Sequence, residues 1–183
     1  MRHKGQLRTQ RKAETRERLL AVARDEFGRK GFSSTSVEDI ATAAGYTRGA
    51  FYSNFESKVA MFAELLRRDQ EHIGAGFKVI LKQLSTCTEI ELDMIEKCRY
   101  QLQENCSFTL WLDAMLLANR DASFRKHFRI LRCEQIKQFD SDVRGLIART
   151  NAPVNISIEK AMLALLSLFF GVHLLNLYQE GVE

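Results

Sequence analysis

Proline occurs once in the 183 residues, at Pro153, and no stretch of useful length alternates apolar with polar side chains. A sheet-based fold therefore has little to build on, and the chain reads as one compact, all-helical subunit. Cysteine is sparse, and Cys87, Cys98, Cys106 and Cys133 show no C-x-x-C spacing and no nearby histidine ligand pattern. Reduced packing thiols are the plainer reading, with redox or electrophile sensing by one of them the sharper one. His3, His72, His127 and His173 are widely separated, and the chain lacks a Walker A loop, G-x-S-x-G, H-E-x-x-H and a dinucleotide glycine fingerprint. Nothing positive favours an enzyme, and neither a cofactor nor a metal is expected. The basic N-terminus lacks a following apolar segment, so no signal peptide and a cytoplasmic location are expected. Internal repeats and low-complexity tracts are missing as well.

What is present is helical periodicity, at 45% hydrophobic content. Its most informative stretch is residues 36–55, SVEDIATAAGYTRGAFYSNF, two short helical patterns parted by Ala-Gly-Tyr-Thr. This is the spacing of a DNA-reading helix-turn-helix. The first helix can start at Thr35 or Ser36, because Thr35 with Glu38 and Ser36 with Asp39 both fit a capping box. Val37, Ile40, Ala41 and Ala44 then share an apolar side, and Gly45 stands where a left-handed residue closes the helix.

Thr47 is the expected cap of the second helix. There Phe51 and Phe55 share one face, Gly49, Ala50 and Ser53 look the other way, and Arg48, Tyr52 and Asn54 lie on the flanks. Small outward residues let a helix backbone sink into the major groove, where Arg reads guanine, Asn reads adenine and hydroxyls bond bases or phosphates. A merely solvated helix more often carries Lys and Glu there. The competing reading of this segment alone is a helix hairpin from an ordinary bundle.

The flanks favour the first reading. An amphipathic helix runs from about Arg11 to Lys30 with Leu19, Leu20, Ala23 and Phe27 as its stripe, and ends at Gly31 before Phe32. After Phe55, Ser57 signals a fourth helix with Val59, Phe62, Ala63 and Leu66 at helical spacing, extending towards Leu84. The run RERLLAVARDEFGRKGFSSTSVEDIATAAGYTRGAFYSNFESKVAMFAELL resembles the DNA-binding domain of the TetR family of transcriptional repressors. It shares the family's leading helix, Gly-Phe turn, Ile-Ala pair, Gly-x-Thr-Arg-Gly turn, Phe-Tyr-x-x-Phe helix and the Lys opening helix four. Asn54 departs from the His or Tyr of many members.

The resemblance implies that Arg48, Gly49, Ala50 and Ser53 face bases, with Thr47 opening the same helix. It implies that Tyr52 and Asn54 meet phosphates, and that Thr35 or Ser36 and Lys58 clamp phosphates from neighbouring helix ends. Charge agrees: residues 1–60 hold 12 Lys or Arg against 7 Asp or Glu, while residues 61–183 hold 15 against 16. The tail before Thr15, with Arg2, Lys4, Arg8, Arg11 and Lys12, can track a phosphate backbone or enter a minor groove; a solvated terminus is the equal alternative.

Three parts are thus expected: a basic arm over 1–10, a helix-turn-helix domain over 11–66, and a helical ligand-binding and dimerisation domain over 67–183. Further helices are read near 89–104, 108–119 and 122–128, then a longer one to about Thr150, and a last from Ser157 to about Gln179. Residues 161–179, AMLALLSLFFGVHLLNLYQ, carry no charge. Ser167, His173, Asn176 and Gln179 interrupt the run and few basic residues flank it, so a core helix and dimer seam is preferred to a membrane span.

The family implies that the final two helices pair with their two-fold mates, placing Met162, Leu166, Phe169, Phe170 and Leu174 between core and partner. A ligand pocket is sought at Phe108, Trp111, Met115 and Phe139, closed by Phe169 and His173, although each is also an ordinary core residue. The expected partners are a double-stranded DNA operator, a second copy of the chain and a small-molecule inducer, with no membrane. A helical adaptor that never touches DNA is the rival.

Overall fold

The computed structural model describes residues 2–83 and 108–150, with 157, 159, 160, 163, 164, 167, 171, 174 and 175. Among the described residues there is no strand, and the helices up to residue 150 are α1 (Arg2–Lys30), α2 (Val37–Ala43), α3 (Arg48–Tyr52), α4 (Lys58–Gln83), α5 (Phe108–Arg120) and α6 (Ala122–Thr150). The helix expected over 89–104, Cys87, Cys98 and Cys106, and Met162, Leu166, Phe169, Phe170 and His173 lie outside them. The described part of 159–175 is helical, as its periodicity predicts. Among the described residues no helix is long and apolar enough to cross a membrane, and no His, Cys, Asp or Glu group is arranged to hold a metal.

Two elements differ from expectation. The segment read as an arm continues α1 from Arg2, since only Gly5 among residues 2–10 opposes a helix and no proline stops it. The short helix at 122–128 and the longer one after it are a single helix, α6, because no proline or glycine stands between Phe128 and Gly145. The break before α6 is set by Asp121, whose carboxylate accepts from the backbone N–H groups of Ser123 and Phe124 at 2.8 and 2.9 Å. Arg125 reaches back to the last carbonyls of α5, at Ala118 and Asn119, both at 2.7 Å.

The chain divides into two units, Met1–Arg68 with Thr109–Arg125, and Asp69–Phe108 with Lys126–Glu183. The expected boundary after residue 66 is close to this division, but most of α5 joins the first unit. The cause is specific contact: the Phe32 N–H donates to Asp113 Oδ2 at 2.6 Å, and the Phe124 ring stacks on Phe62 with centroids 5.9 Å apart.

The core of the first unit is aromatic. Phe27, Phe32 and Phe62 form a triangle with centroid separations of 5.4, 5.3 and 4.5 Å, within the range of favourable ring pairing. Leu19, Leu20 and Ala23 from α1, Ile40 and Ala41 from α2, Met61, Leu65 and Leu66 from α4, and Leu110 and Ala114 from α5 bury around it. The apolar stripes of the sequence therefore converge on one core. In the second unit Asp69 and Leu131 are buried. Lys78 on α4 faces Asp142 on α6 at 3.9 Å.

Phe62 touches Phe27, Phe32 and Phe124 at once. Phe62→Ala should lower unfolding stability by about 3–5 kcal/mol, measured by denaturant titration; a loss under about 1 kcal/mol would show that the cluster is not the centre of the core.

Candidate nucleic-acid interface

The open choice at the start of α2 is settled at Ser36. Its hydroxyl accepts from the Asp39 N–H at 3.0 Å while the Asp39 carboxylate accepts from the Ser36 N–H at 2.9 Å, a complete capping box. The Ser36 backbone and hydroxyl bonds hold the Asp39 carboxyl below its ordinary range, helped by Lys30 and Arg29. Thr35 leaves the set of candidate phosphate contacts: its side chain is 1% exposed, and its hydroxyl donates inward to the Gly31 carbonyl at 2.9 Å and that of Glu26 at 3.3 Å.

The turn closes by a Schellman arrangement. The Tyr46 N–H donates to the Ala41 carbonyl at 2.8 Å and the Gly45 N–H to that of Thr42 at 3.0 Å, with Gly45 at φ +78°. A side chain there would meet open space but a strained backbone. Thr47 then caps α3, its hydroxyl accepting from the Ala50 N–H at 3.3 Å.

On α3 the two faces separate as the periodicity requires. Phe51 and Phe55 are buried, whereas Thr47, Arg48, Gly49, Tyr52 and Ser53 are exposed and Ala50 and Asn54 are half-buried. Two of the polar side chains turn back onto their own helix, Ser53 Oγ to the Gly49 carbonyl and Asn54 Nδ2 to the Ala50 carbonyl, each at 2.9 Å. A Cβ added at Gly49 would meet only Thr47 Oγ1, at 3.7 Å, an ordinary contact. The fold itself does not require glycine at position 49.

Three contacts behind and beside this face were not legible in the sequence. Arg48 ion-pairs with Glu38 of α2 and lies over the Tyr52 ring at 5.5 Å; Tyr52 and then Glu38 hold its guanidinium above the ordinary arginine range. Lys58 Nζ donates to the carbonyls of Phe32 and Thr35 at 2.8 and 2.7 Å and sits over the Phe32 ring at 4.4 Å. Burial pushes its pKa down while Asp39 opposes the shift. Lys58 therefore ties α4 to the loop before α2. Arg16 of α1 reaches the far end of α3, donating to the Asn54 carbonyl at 2.6 Å. Arg16 does not stand out by spacing, and Glu38, which spacing offers as a capping-box partner of Thr35, pairs with Arg48 instead.

The other expected sites are described only in part. Phe108 and Trp111 are buried, and Met115 and Phe139 are half-buried. Trp111 and Met115 fall in the first unit, Phe108 and Phe139 in the second. Leu174 is exposed, as are Leu163 and Leu175. Cys133 is a free thiol, and exposed.

Residues 19–65 match the family described as bacterial regulatory proteins, tetR family. That segment of the chain is similar to the TetR family's DNA-binding region. A stretch of 61 residues is 46% identical to the HTH-type transcriptional regulator AcrR of Shigella flexneri, covering 33% of this chain and 28% of that relative. A longer match, to the HTH-type transcriptional repressor KstR2 of Rhodococcus jostii, is 28% identical over 158 residues and covers 68% of this chain and 78% of the other. Among solved structures, Salmonella enterica GusR superposes with a TM-score of 0.72 at 23% identity, over 87% of this chain and 81% of that one. The likeness of fold thus extends well beyond the segment in which the sequence match is strong.

The capping box makes a pH-dependent contribution to the TetR-type domain. A carboxyl whose folded pKa is depressed stabilises above its unfolded value and loses that contribution as pH falls through the folded one. Asp39→Asn should therefore destabilise near neutrality, and the gap to wild type should narrow below about pH 4. Unfolding curves from pH 7 to 3 check this; a gap independent of pH would rule out the carboxylate as its source.

Proposed function

We propose that this protein is a homodimeric transcriptional repressor that binds a palindromic operator and is released from it by a small-molecule inducer. The observation carrying the reading is the outer face of α3. It offers small and polar groups around a glycine for which the free protein has no steric need. Glycine inside a helix costs about 0.5–1 kcal/mol relative to alanine, so its presence is accounted for by close approach of another backbone, here the sugar-phosphate wall of a major groove. Arg48, Gly49, Ala50 and Ser53 would face bases. Ser36, Thr47, Tyr52, Asn54 and Lys58 would serve phosphates or hold the elements that do.

The exposed leucines at 163, 174 and 175 support a second copy of the chain as partner. An inducer is taken from the TetR resemblance, and it must prefer a spacing of the two α3 helices that does not fit the operator, since only differential affinity shifts two conformations. Helix α4, which carries both Lys58 and Lys78, is the proposed lever.

Fluorescence anisotropy against DNA from upstream of the protein's own gene, with scrambled competitor and several salt concentrations, tests the reading. Tight, competitor-resistant, salt-sensitive binding is expected; affinity equal to that for scrambled DNA would favour the adaptor reading. Arg48→Ala should cut discrimination between operator and scrambled DNA by about 1–3 kcal/mol, and equal losses on both would contradict base contact. Gly49→Ala should raise stability by up to about 1 kcal/mol in thermal unfolding yet weaken operator binding at least about ten-fold. Unchanged operator affinity would take position 49 out of the interface.

A further inference from the structure

The five-residue helix α3 is fixed at one end by the turn and along its inner face by Phe51 and Phe55. Its other end is held by a side chain from the opposite end of the domain's sequence. Arg16 Nη1 donates to the Asn54 carbonyl at 2.6 Å, its guanidinium lies over the Phe55 ring at 4.1 Å, and Nη2 stands 3.9 Å from the Glu64 carboxylate of α4. Glu64 is itself gripped by Arg67 and Arg68 at 3.1 and 3.0 Å. Arg68 closes the loop back to α1 through a two-pronged pair with Glu17 at 2.6 and 2.7 Å. Asn54 passes the hold inward, because its side-chain amide donates to the Ala50 carbonyl.

We infer that Arg16 is a positioning residue for DNA discrimination, setting the tilt of α3 through the Asn54 carbonyl and the Phe55 ring. The inference rests on the DNA-reading role proposed for α3. At about 1.5 Å per residue, a five-residue helix pivoting by about 5° at its Thr47 end displaces its far end by roughly 0.7 Å. Base-edge recognition tolerates about 0.5 Å, whereas phosphate attraction, a longer-range charge effect, tolerates more. Loss of the clamp should therefore blur sequence reading before it weakens attachment. A planar fork is suited to this task, since one guanidinium meets a carbonyl, a ring and a carboxylate together, which an ammonium cannot do.

The test uses the duplex that the full-length wild-type protein enriches from a random-sequence library, a scrambled duplex of equal length, and a series of salt concentrations. Arg16→Ala should lose about ten-fold or more on the enriched duplex and under about three-fold on the scrambled one, with the slope of log affinity against log salt unchanged. Arg16→Lys, which keeps the charge but not the fork, should fall between alanine and wild type. Equal losses on both duplexes with a slope reduced by about one would overturn the inference and make Arg16 a direct phosphate contact. An unchanged ratio in Arg16→Ala, or full activity in Arg16→Lys, would overturn it too. Should circular dichroism show that the alanine variant does not fold, the lysine variant decides by the same ratio. If the wild-type protein enriches no duplex at all, the DNA-reading role of α3 fails first, and the inference falls with it.

Discussion

Five residues are too few for a helix to persist in water by its own hydrogen bonds. Helix α3 therefore exists because Phe51 and Phe55 are buried beneath it. Every feature of the candidate interface depends on that anchoring. The rings fix which face looks inward, and with a period of 3.6 residues the positions of Arg48, Gly49, Ala50 and Ser53 follow on the other side. Burial of the two rings also leaves the outward positions free of any structural demand, so glycine and alanine can stand there.

Around this anchor the domain is tied by polar contacts placed where packing alone would allow sliding. The Ser36–Asp39 capping box fixes the start of α2, and the Gly45 turn fixes the angle into α3. Lys58 joins α4 to the carbonyls of Phe32 and Thr35, and Asp113 accepts from the very next amide after Gly31. The Gly31–Thr35 loop is thus held from α4 and from α5 at once. Asp113 itself belongs to the first unit, so this contact ties α5 to the loop within that unit.

The same loop shows why the helix-turn-helix could be read from sequence more readily than the partners of its side chains. Thr35 and Ser36 were equivalent by spacing, and both were candidates to meet a phosphate. In the fold one hydroxyl faces the interior and the other caps a helix. Lys58 was placed correctly at the opening of α4, but which atoms its ammonium would find depended on where the preceding loop lay. Arg16 gave no signal and Glu38 signalled a cap with Thr35 that it does not make, because their actual partners are 38 and 10 residues away.

By itself the sequence determined the helical class, the apolar stripes of α1, α2 and α4, the turn at Gly45 and the two faces of α3. These are local properties, governed by a period of 3.6 residues and by the needs of unpaired amides at helix ends. Tertiary structure alone decided that most of α5 packs with the first unit, that Thr35 is buried, that Arg48 pairs with Glu38 and that Arg16 holds the end of α3. Each of those joins residues far apart along the chain, and the direction in which a side chain meets a distant partner is set by packing, which no local pattern records.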